Sequence, residues 1–286
     1  ARGRQQAADL QADRGPLPAG VICVLGDAHL DVVVRPLGPV APDTDTPART
    51  LAGPGGQAAN VAAWVAALGG RSRLVCARGT DLAAGLVAAD LARRGVELAG
   101  PVVEGRTGVV VSLSDGGATR SMLTDRGVGP SFPAAELRAE WLDGCSWLHL
   151  PAYSLVADPI SGAARAAVAA AAARSARLSI DLSSTAALAE YGAARFARLL
   201  AGLRPDVVFG TEAEMAMIGD LPGPELVVKL GARGVRVGGR QHPAAATEPV
   251  DSTGAGDAFA AGYLVGGVDL GLSAAARAVA TMGGMP

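Results

Sequence analysis

The chain has 286 residues, of which 50% are hydrophobic and 18% charged, and its mean hydropathy is +0.30. This composition supports a large buried core and excludes a disordered chain, which would be poor in apolar residues. A net charge of −2 lacks the basic excess of a nucleic-acid binder, and three scattered cysteines argue against a disulfide scaffold or a zinc site. The most apolar stretch, at 163–173, is too short to span a bilayer. We therefore expect a cytoplasmic protein that binds neither nucleic acid nor membrane.

The hydrophobic pattern predicts a loose polar tail at 1–20, followed by one domain over 21–286. Short apolar runs rich in Val, Ile and Leu predict strands at 21–26, 31–35, 48–52, 73–77, 107–113, 119–124, 146–150, 178–182, 207–209 and 226–230. Alanine-rich segments predict helices at 60–68, 82–94, 160–174, 191–201 and from about 257.

The order of these elements predicts an α/β fold. From about residue 53 strands and helices mostly alternate, which is typical of βαβ units and of a parallel sheet covered by helices on both faces. Few helices separate the strands within 31–52 and 107–124, so we expect these strands to form a small separate β-layer. Ser-Asp-Gly-Gly at 114–117 predicts a hairpin within that layer.

The segment DSTGAGD at 251–257 has small residues and two aspartates just ahead of an apolar helical pattern. A tight turn at a helix start directs backbone N–H groups toward an anion, and the helix dipole adds positive potential there. A carboxylate in that turn can take a proton from an attacking hydroxyl while the N–H groups hold a transferring phosphoryl. The alternative is a structural role for Asp257 as the helix N-cap.

Two further segments carry polar residues at predicted element ends. GPGGQAAN at 53–60 predicts a glycine turn that lets a polyhydroxy ligand approach the backbone, with Asn60 as a bidentate donor and acceptor. GDAHLD at 26–31 follows the first strand, and ligands of open α/β sheets bind beyond the carboxyl ends of strands. The alternatives are an ordinary loop at 53–60 and solvated turn acids at 26–31.

Together these segments resemble the ribokinase (PfkB) family of sugar and nucleoside kinases over roughly 21–286. GGQAANVAAWVAALG at 55–69, followed by Gly79, is similar to the family's N-terminal signature, and DSTGAGDAFAAGYL at 251–264 is similar to its C-terminal signature. The resemblance implies a ribokinase-like three-layer fold with a central, mostly parallel sheet and a small β-sheet lid. The lid strands would lie within about 31–52 and 107–124.

The resemblance also implies a carbohydrate kinase that phosphorylates a sugar hydroxyl with ATP and Mg²⁺. Asp257 would be the general base. The anion hole for the γ-phosphoryl would be formed by Gly254, Ala255 and Gly256. The acceptor would be bound by Asp27, His29, Asp31, Gly55, Gly56 and Asn60.

On the nucleotide side, the resemblance implies binding by Thr211, Glu214, Lys229, Gly231 and Gly234. The family's Asn-x-x-Glu motif, associated with Mg²⁺ and phosphate, corresponds to TEAE at 211–214. Glu214 matches it, for an indirect contact with Mg²⁺, whereas Thr211 replaces the asparagine, so we expect a modest loss of nucleotide or metal affinity. Family members that use K⁺ bind it near the start of the C-terminal motif, which implies a monovalent-cation site near Asp251 and Thr253.

Two alternatives to a sugar kinase stay open: a nucleoside kinase of the same family and a sugar-binding pseudokinase. Aromatic residues are only 3% of the chain, which favours a sugar over a nucleoside, because a base needs an apolar or aromatic slot. We assign Trp64 and Phe132 to packing. The intact DSTGAGD favours an enzyme, and Thr211 favours a sensor. The resemblance further implies a homodimer formed through the lid.

Three details bear on the ligands. Arg126, on or just after the lid, is interpreted as a solvent-exposed arginine or as a partner for the carboxylate of an acidic sugar.

Lys229 is the single lysine among 25 lysines and arginines, and a compact ammonium suits a phosphate. The segments at 219–226 and 273–279 are each shorter than the family pattern by roughly a helix, the second of which would line the adenine pocket.

Overall fold

A computed structural model describes residues 20–114 and 120–286. The predicted tail, apart from Gly20, and the predicted hairpin turn at 115–117 lie outside the described residues. Within the described part of the chain, no helix is long and apolar enough to cross a bilayer.

A large sheet of nine strands forms the centre of the fold, in the order β13-β12-β11-β10-β9-β8-β1-β4-β5. All neighbours are parallel except at the β11-β12-β13 edge, which is antiparallel. The strands are β1 (Val21–Leu25), β4 (Arg71–Val75), β5 (Val96–Ala99), β8 (Cys145–Pro151), β9 (Arg177–Asp181), β10 (Val207–Thr211), β11 (Glu225–Lys229), β12 (Val235–Val237) and β13 (Arg240–His242).

Helices cover both faces of this sheet, as the alternating order predicts. The helices are α1 (Gln57–Ala67), α2 (Leu82–Arg93), α3 (Tyr153–Val156), α4 (Ile160–Ala172), α5 (Thr185–Tyr191), α6 (Ala193–Leu203), α7 (Glu212–Ile218), α8 (Ala255–Gly266) and α9 (Val268–Val279). Side chains of α1, α2, α8 and α9 pack in one core layer, and those of α3 to α7 pack in the other. The three-layer α/β architecture is therefore confirmed.

A second sheet of four strands has the order β3-β2-β6-β7. It contains β2 (His29–Pro36), β3 (Ala48–Gly55), β6 (Thr107–Ser114) and β7 (Arg120–Gly127). The predicted separate β-layer is confirmed, but its strands extend beyond the predicted bounds. In particular, residues 53–55 were expected to be a turn and instead end β3, because their backbone pairs with residues 29–31 of β2.

Several other expectations can be compared with the described residues. Trp64 and Phe132 are fully buried, and all three cysteines are buried free thiols, as expected for packing residues. The sequence patterns missed β5, β12, β13, most short helices and also α9. Residues 219–224 contain no helix, whereas 273–279 are the second half of α9.

Candidate active site

The carboxyl ends of the parallel strands bring polar side chains to one edge of the large sheet. Asp27 follows β1, Asp181 ends β9, Thr211 ends β10 and Lys229 ends β11. Ligands of open α/β sheets bind at this edge. The candidate site therefore lies where the strand ends, the small sheet and the start of α8 meet.

Asp257 lies in the first turn of α8, and this helix begins at Ala255 with Gly254 at the N-cap position. The helix thus begins slightly before the predicted residue, and Asp257 is not its cap. Its carboxylate accepts a hydrogen bond of 2.8 Å from Asn60 Nδ2. Burial raises the pKa of Asp257 to about 7, against the lowering effect of Asn60 and with a further contribution from the charge of Asp181.

The N-terminus of α8 is formed by glycine for a steric reason. Gly254 has a φ of 71°, in the left-handed region, and a Cβ there would lie 2.5 Å from the Cα of Gly284. Only glycine fits both conditions. Since glycine has no side chain to cap α8, this positively polarised helix end is suited to an external anion.

Lys229 reaches the same helix end from β11. A Cβ added to Gly256 would lie 3.3 Å from Lys229 Nζ, so the ammonium is next to the first turn of α8. Lys229 Nζ donates a hydrogen bond of 2.7 Å to Asp181 Oδ2, and Asp181 is fully buried. Burial alone would lower the pKa of Lys229, but the charge and hydrogen bond of Asp181 raise it, so the ammonium stays protonated.

Asp181 is the functional neighbour that the sequence interpretation missed. It ends β9, and its second oxygen, Oδ1, accepts a hydrogen bond of 2.9 Å from the backbone of Ser183. A signal was available in the sequence, because an aspartate that closes an apolar strand pattern lies at the ligand edge of such a sheet.

A cavity of about 500 Å³ opens beside Lys229 and Gly256. Its walls are mostly apolar and include Phe259 and, from α9, Leu272 and Val279. The predicted nucleotide residues Gly231 and Gly234 also line it. A cationic and amide-rich end next to an apolar slot fits the phosphates and the base of a nucleotide.

On the opposite side, Asp27, His29 and Asp31 form one cluster under the small sheet. His29 Nε2 lies 2.8 Å from Asp31 Oδ1, and His29 Nδ1 lies 3.7 Å from Asp27 Oδ2. Burial alone would lower the pKa of His29, but the hydrogen bond to Asp31 and the charges of both aspartates raise it. Asp27 Oδ1 is buried without a hydrogen-bond partner among the described residues, so it is an acceptor ready for a hydroxyl.

The glycines predicted to bind the acceptor are packed against this cluster. A Cβ on Gly55 would lie 2.0 Å from Asp31 Cγ, and one on Gly56 would lie 2.7 Å from the backbone oxygen of Asp27. Gly56 also has a φ of 101°. The two glycines therefore allow the chain at the start of α1 to lie directly against the Asp31 carboxylate and the Asp27 backbone.

A second cavity, of about 390 Å³, opens at Asp27 and His29. Its wall carries two arginines stacked on tyrosines: Arg126 lies 4.5 Å from the Tyr153 ring centroid, and Arg195 lies 4.2 Å from that of Tyr191. Arg126 also donates a hydrogen bond of 3.2 Å to Asp27 Oδ2. Arg126 therefore lines this cavity beside Asp27. The sequence interpretation missed the two tyrosines and Arg195, because isolated residues form no pattern.

Thr211 and Glu214 cap helix α7 reciprocally. Glu214 Oε2 accepts a 2.7 Å hydrogen bond from the Thr211 backbone, and Thr211 Oγ1 accepts one of 3.3 Å from the Glu214 backbone. This capping box was readable from Thr-x-x-Glu at 211–214. Among residues 20–114 and 120–286, no group of three or more His, Cys, Asp or Glu side chains is arranged so that it could hold a metal ion.

The loop before α8 is bound to the small sheet and to the C-terminal segment through Asp251. Asp251 Oδ1 accepts hydrogen bonds from the backbone N and Oγ1 of Thr253, at 2.9 and 2.6 Å. Asp251 Oδ2 accepts one of 3.1 Å from Gly283 N and lies 3.5 Å from a guanidinium nitrogen of Arg35 on β2. A cationic side chain thus already faces the loop where the monovalent cation was expected.

Comparison with known proteins places this site in a family context. A fructokinase of Escherichia coli is 32% identical over 280 residues, covering 88% of this chain and 86% of the relative. An ATP-dependent ribose-1-phosphate kinase of Halopiger xanaduensis is 31% identical over 225 residues, covering 73% and 72%. The crystal structure of an adenosine kinase from Sinorhizobium meliloti has the same fold, with a TM-score of 0.83, 21% identity and coverage of 94% and 96%.

The family model of the pfkB carbohydrate kinases matches residues 20–284, almost the whole described chain. The match includes both glycine-containing segments, at 53–60 and 251–257, that meet at Asn60 and Asp257. The chain therefore belongs to the pfkB family of carbohydrate kinases, which makes it a phosphotransferase that acts on a sugar hydroxyl.

Proposed function

We propose that this protein transfers a phosphoryl group from ATP to a sugar hydroxyl, with Asp257 as the general base. The observation that carries this proposal is the position of Asp257, in the glycine-started first turn of α8 with a pKa of about 7. A base with that pKa is about half ionised at pH 7, so it is available to accept a proton and still holds that proton well. Gly256 beside it lines one cavity, and Asp27, whose charge also raises its pKa, lines the other.

ATP would occupy the cavity beside Lys229 and would supply the phosphoryl group that is transferred. The apolar walls fit the base, and Gly231 and Gly234 allow close approach of the backbone. Lys229 provides a fixed positive charge at the start of α8. The backbone of Gly254, Ala255 and Gly256 would hold the transferring group as the anion hole.

Mg²⁺ would be held mainly by the nucleotide's own phosphates, because the described residues offer no three-ligand cluster. This agrees with the tendency of Mg²⁺ to keep several waters and to use one or two protein carboxylates. Glu214 would act through water, since one of its oxygens already caps α7.

The acceptor sugar would bind against Asp27, His29, Asp31 and the start of α1. Asp27 Oδ1 is a buried acceptor without a partner among the described residues, and Asn60 and the backbone of Gly55 and Gly56 lie alongside. Here Asp257 would take the proton of the attacking hydroxyl at a carboxylate oxygen.

The small sheet would serve as a lid within a single kinase domain over 21–286. A lid that excludes water favours transfer to the sugar over hydrolysis. Leu51, Met122 and Leu123 of this sheet are 44%, 48% and 59% exposed, which supports the proposed homodimer through the lid. A Leu123→Asp variant should then sediment as a monomer where the parent sediments as a dimer.

A nucleoside kinase is the second candidate, because Tyr153 and Tyr191 offer aromatic rings in the acceptor cavity. One face of each ring is covered by a guanidinium, however, which removes that surface from a base. This arrangement favours a sugar over a nucleoside.

The proposal is tested by ADP release in a coupled assay with ATP, Mg²⁺ and a panel of pentoses, hexoses, sugar acids, sugar phosphates and nucleosides. We expect sugar-dependent turnover in the parent and a loss of at least about 100-fold in kcat for Asp257→Asn. Calorimetric titration with the same sugars and a non-hydrolysable ATP analogue is run alongside. Sugar binding without product would identify a sugar-binding pseudokinase and refute the proposed reaction.

A further inference from the structure

The cavity of about 390 Å³ at Asp27 and His29 has a further wall, whose residues lie outside the Asp27–His29–Asp31 cluster. Arg195, at the start of α6, is exposed to this cavity and stacks on Tyr191 at 4.2 Å. Among residues 20–114 and 120–286, no carboxylate forms an ion pair with Arg195. Its guanidinium N–H donors are therefore available to a ligand while its flat face is held by the ring.

Arg126 faces the same cavity from β7. It is held by Tyr153 under its plane and by a single hydrogen bond to Asp27, which leaves most of its five N–H donors unused. Side chains held by aromatic rings lose less entropy on binding than free ones. The cavity thus presents two oriented guanidinium groups, and a guanidinium pairs best with a carboxylate or a phosphate.

The two arginines line the same cavity as Asp27. The charge of Asp27 raises the pKa of Asp257, so these carboxylates are near one another, and Arg126 donates a hydrogen bond to Asp27. An acceptor whose reacting hydroxyl lies at Asp257 would cross Asp27 and place its other end at the arginines.

We propose that the acceptor is an anionic sugar, whose phosphate or carboxylate is bound by Arg195 and Arg126. This inference rests on the proposed function and narrows its substrate class. The two relatives described above differ in the charge of the sugar that each is named for, since one is a fructokinase and the other a ribose-1-phosphate kinase. The arginine wall is the feature of this chain that selects between those chemistries.

Glu190 lies on the same wall and is the group that opposes this inference. If Glu190 selected the ligand, the cavity would prefer a cationic amino sugar. Arg126 and Asp27 compensate each other's charge, so Arg195 is the cation that faces Glu190, and the Tyr191 ring holds its guanidinium in place for an anion. Glu190→Gln should therefore tighten the binding of an anionic sugar, since it removes a repulsive charge.

Calorimetric binding to the full chain with a non-hydrolysable ATP analogue tests the inference without relying on catalysis. The probes are matched pairs: ribose against ribose 1-phosphate and ribose 5-phosphate, fructose against fructose 6-phosphate, and glucose against gluconate, with glucosamine as the cationic probe. We expect at least one anionic member to bind at least 10-fold more tightly than its neutral partner. The phosphate and gluconate pairs distinguish the two anionic groups.

Arg195→Gln should abolish that 10-fold gain and change the affinity for the neutral partner by less than about twofold. Arg198→Gln is the matched control, because Arg198 is exposed on the same helix and does not line the cavity. Both variants should melt within about 2 °C of the parent, since they change exposed side chains.

The inference is overturned if no anionic probe binds more tightly than its neutral partner, if glucosamine binds best, or if Arg195→Gln and Arg198→Gln behave alike. Preferred turnover of a neutral sugar would refute the inference and leave the proposed kinase reaction intact. Tight binding of an anionic sugar without ADP release would support the inference and refute the proposed kinase reaction.

Discussion

Asn60 Nδ2 lies 2.8 Å from Asp257 Oδ2, although 197 residues separate them along the chain. The bond joins α1, which follows the small sheet, to the first turn of α8. It stabilises the ionised form of Asp257, while burial destabilises that form, and burial is the stronger effect because the pKa rises to about 7. The proposed sugar side and the proposed phosphate side of the site are therefore connected at Asp257.

The pH dependence of catalysis follows from this balance. Because Asp257 must be ionised to accept a proton, kcat/KM should rise with pH and level off above a midpoint near 7. Asn60→Leu removes the hydrogen bond that lowers the pKa, so the midpoint should move to higher pH. The measurement is kcat/KM from pH 5.5 to 9, with a thermal melt to show that the variant is folded. An unchanged midpoint in Asn60→Leu would contradict the assigned role of the bond.

The same pKa makes a prediction about stability. A carboxyl group whose pKa rises from 3.8 to about 7 on folding contributes stability that is present below pH 3.8 and lost as pH rises through 7. Asp257→Asn cannot ionise, so its Tm should exceed that of the parent at pH 8, and the difference should shrink toward pH 5. A gain of a few degrees is expected, because about 1 kcal/mol corresponds to roughly 2–4 °C for a larger domain. Calorimetric melts at both pH values check this, and an equal gain at each would reject it.

The buried Lys229–Asp181 pair should show strong coupling. Removing one partner leaves an uncompensated charge, which costs about 3–5 kcal/mol for a buried pair. Asp181→Asn and Lys229→Met should each destabilise the protein, and the double variant should lose less than the sum of both. Urea unfolding of the four proteins gives the coupling free energy. Strict additivity would show that the pair contributes nothing beyond its separate side chains.

Lys229 also has an expected role toward the nucleotide that the conservative change tests. Lys229→Arg retains the charge but replaces a compact ammonium with a planar fork that fits poorly between Asp181 and Gly256. We expect the KM for ATP to rise about 10-fold while the affinity for the sugar stays unchanged. An unaltered KM for ATP would mean that Lys229 has only a structural role.

The Arg35–Asp251 contact leads to a prediction about K⁺. Since a guanidinium already faces the loop before α8, K⁺ should stimulate the parent by less than about twofold over Na⁺. Arg35→Gln removes that charge, and its activity should depend more strongly on K⁺. Initial rates at constant ionic strength with either cation decide the matter. If the parent and the variant respond equally to K⁺ and Na⁺, Arg35 does not affect the use of a monovalent cation.

Gly254 can be tested against a glycine whose replacement should be harmless. Gly254→Ala forces a side chain into a left-handed residue and against Gly284, so both stability and kcat should fall. Gly85→Ala is the matched control in α2, where a Cβ meets nothing within 4 Å and where alanine should stabilise the helix by about 0.5–1 kcal/mol. Thermal melts and turnover of both variants are compared. Equal effects of the two substitutions would contradict the steric requirement for glycine at residue 254.

The sequence by itself determined the alternation of strands and helices, the separate β-layer, and the residue types at both glycine segments. These features follow from the local periodicity of hydrophobic residues and from the small residues that a tight turn requires. Both can be read directly from the order of residues in the chain. The capping box at Thr211 and Glu214 was also readable from the sequence, but the sequence interpretation considered only a nucleotide and metal role for these two residues.

Only the tertiary structure decided which distant groups share one environment. The pKa of Asp257 depends on burial and on Asn60. The charge of Lys229 on β11 is compensated by Asp181 on β9. Arg195 and Arg126 come from different elements and line one cavity. Desolvation, ion pairing and cavity shape are properties of chain segments brought together by folding. No local pattern of residues encodes them, because each partner lies on a different element.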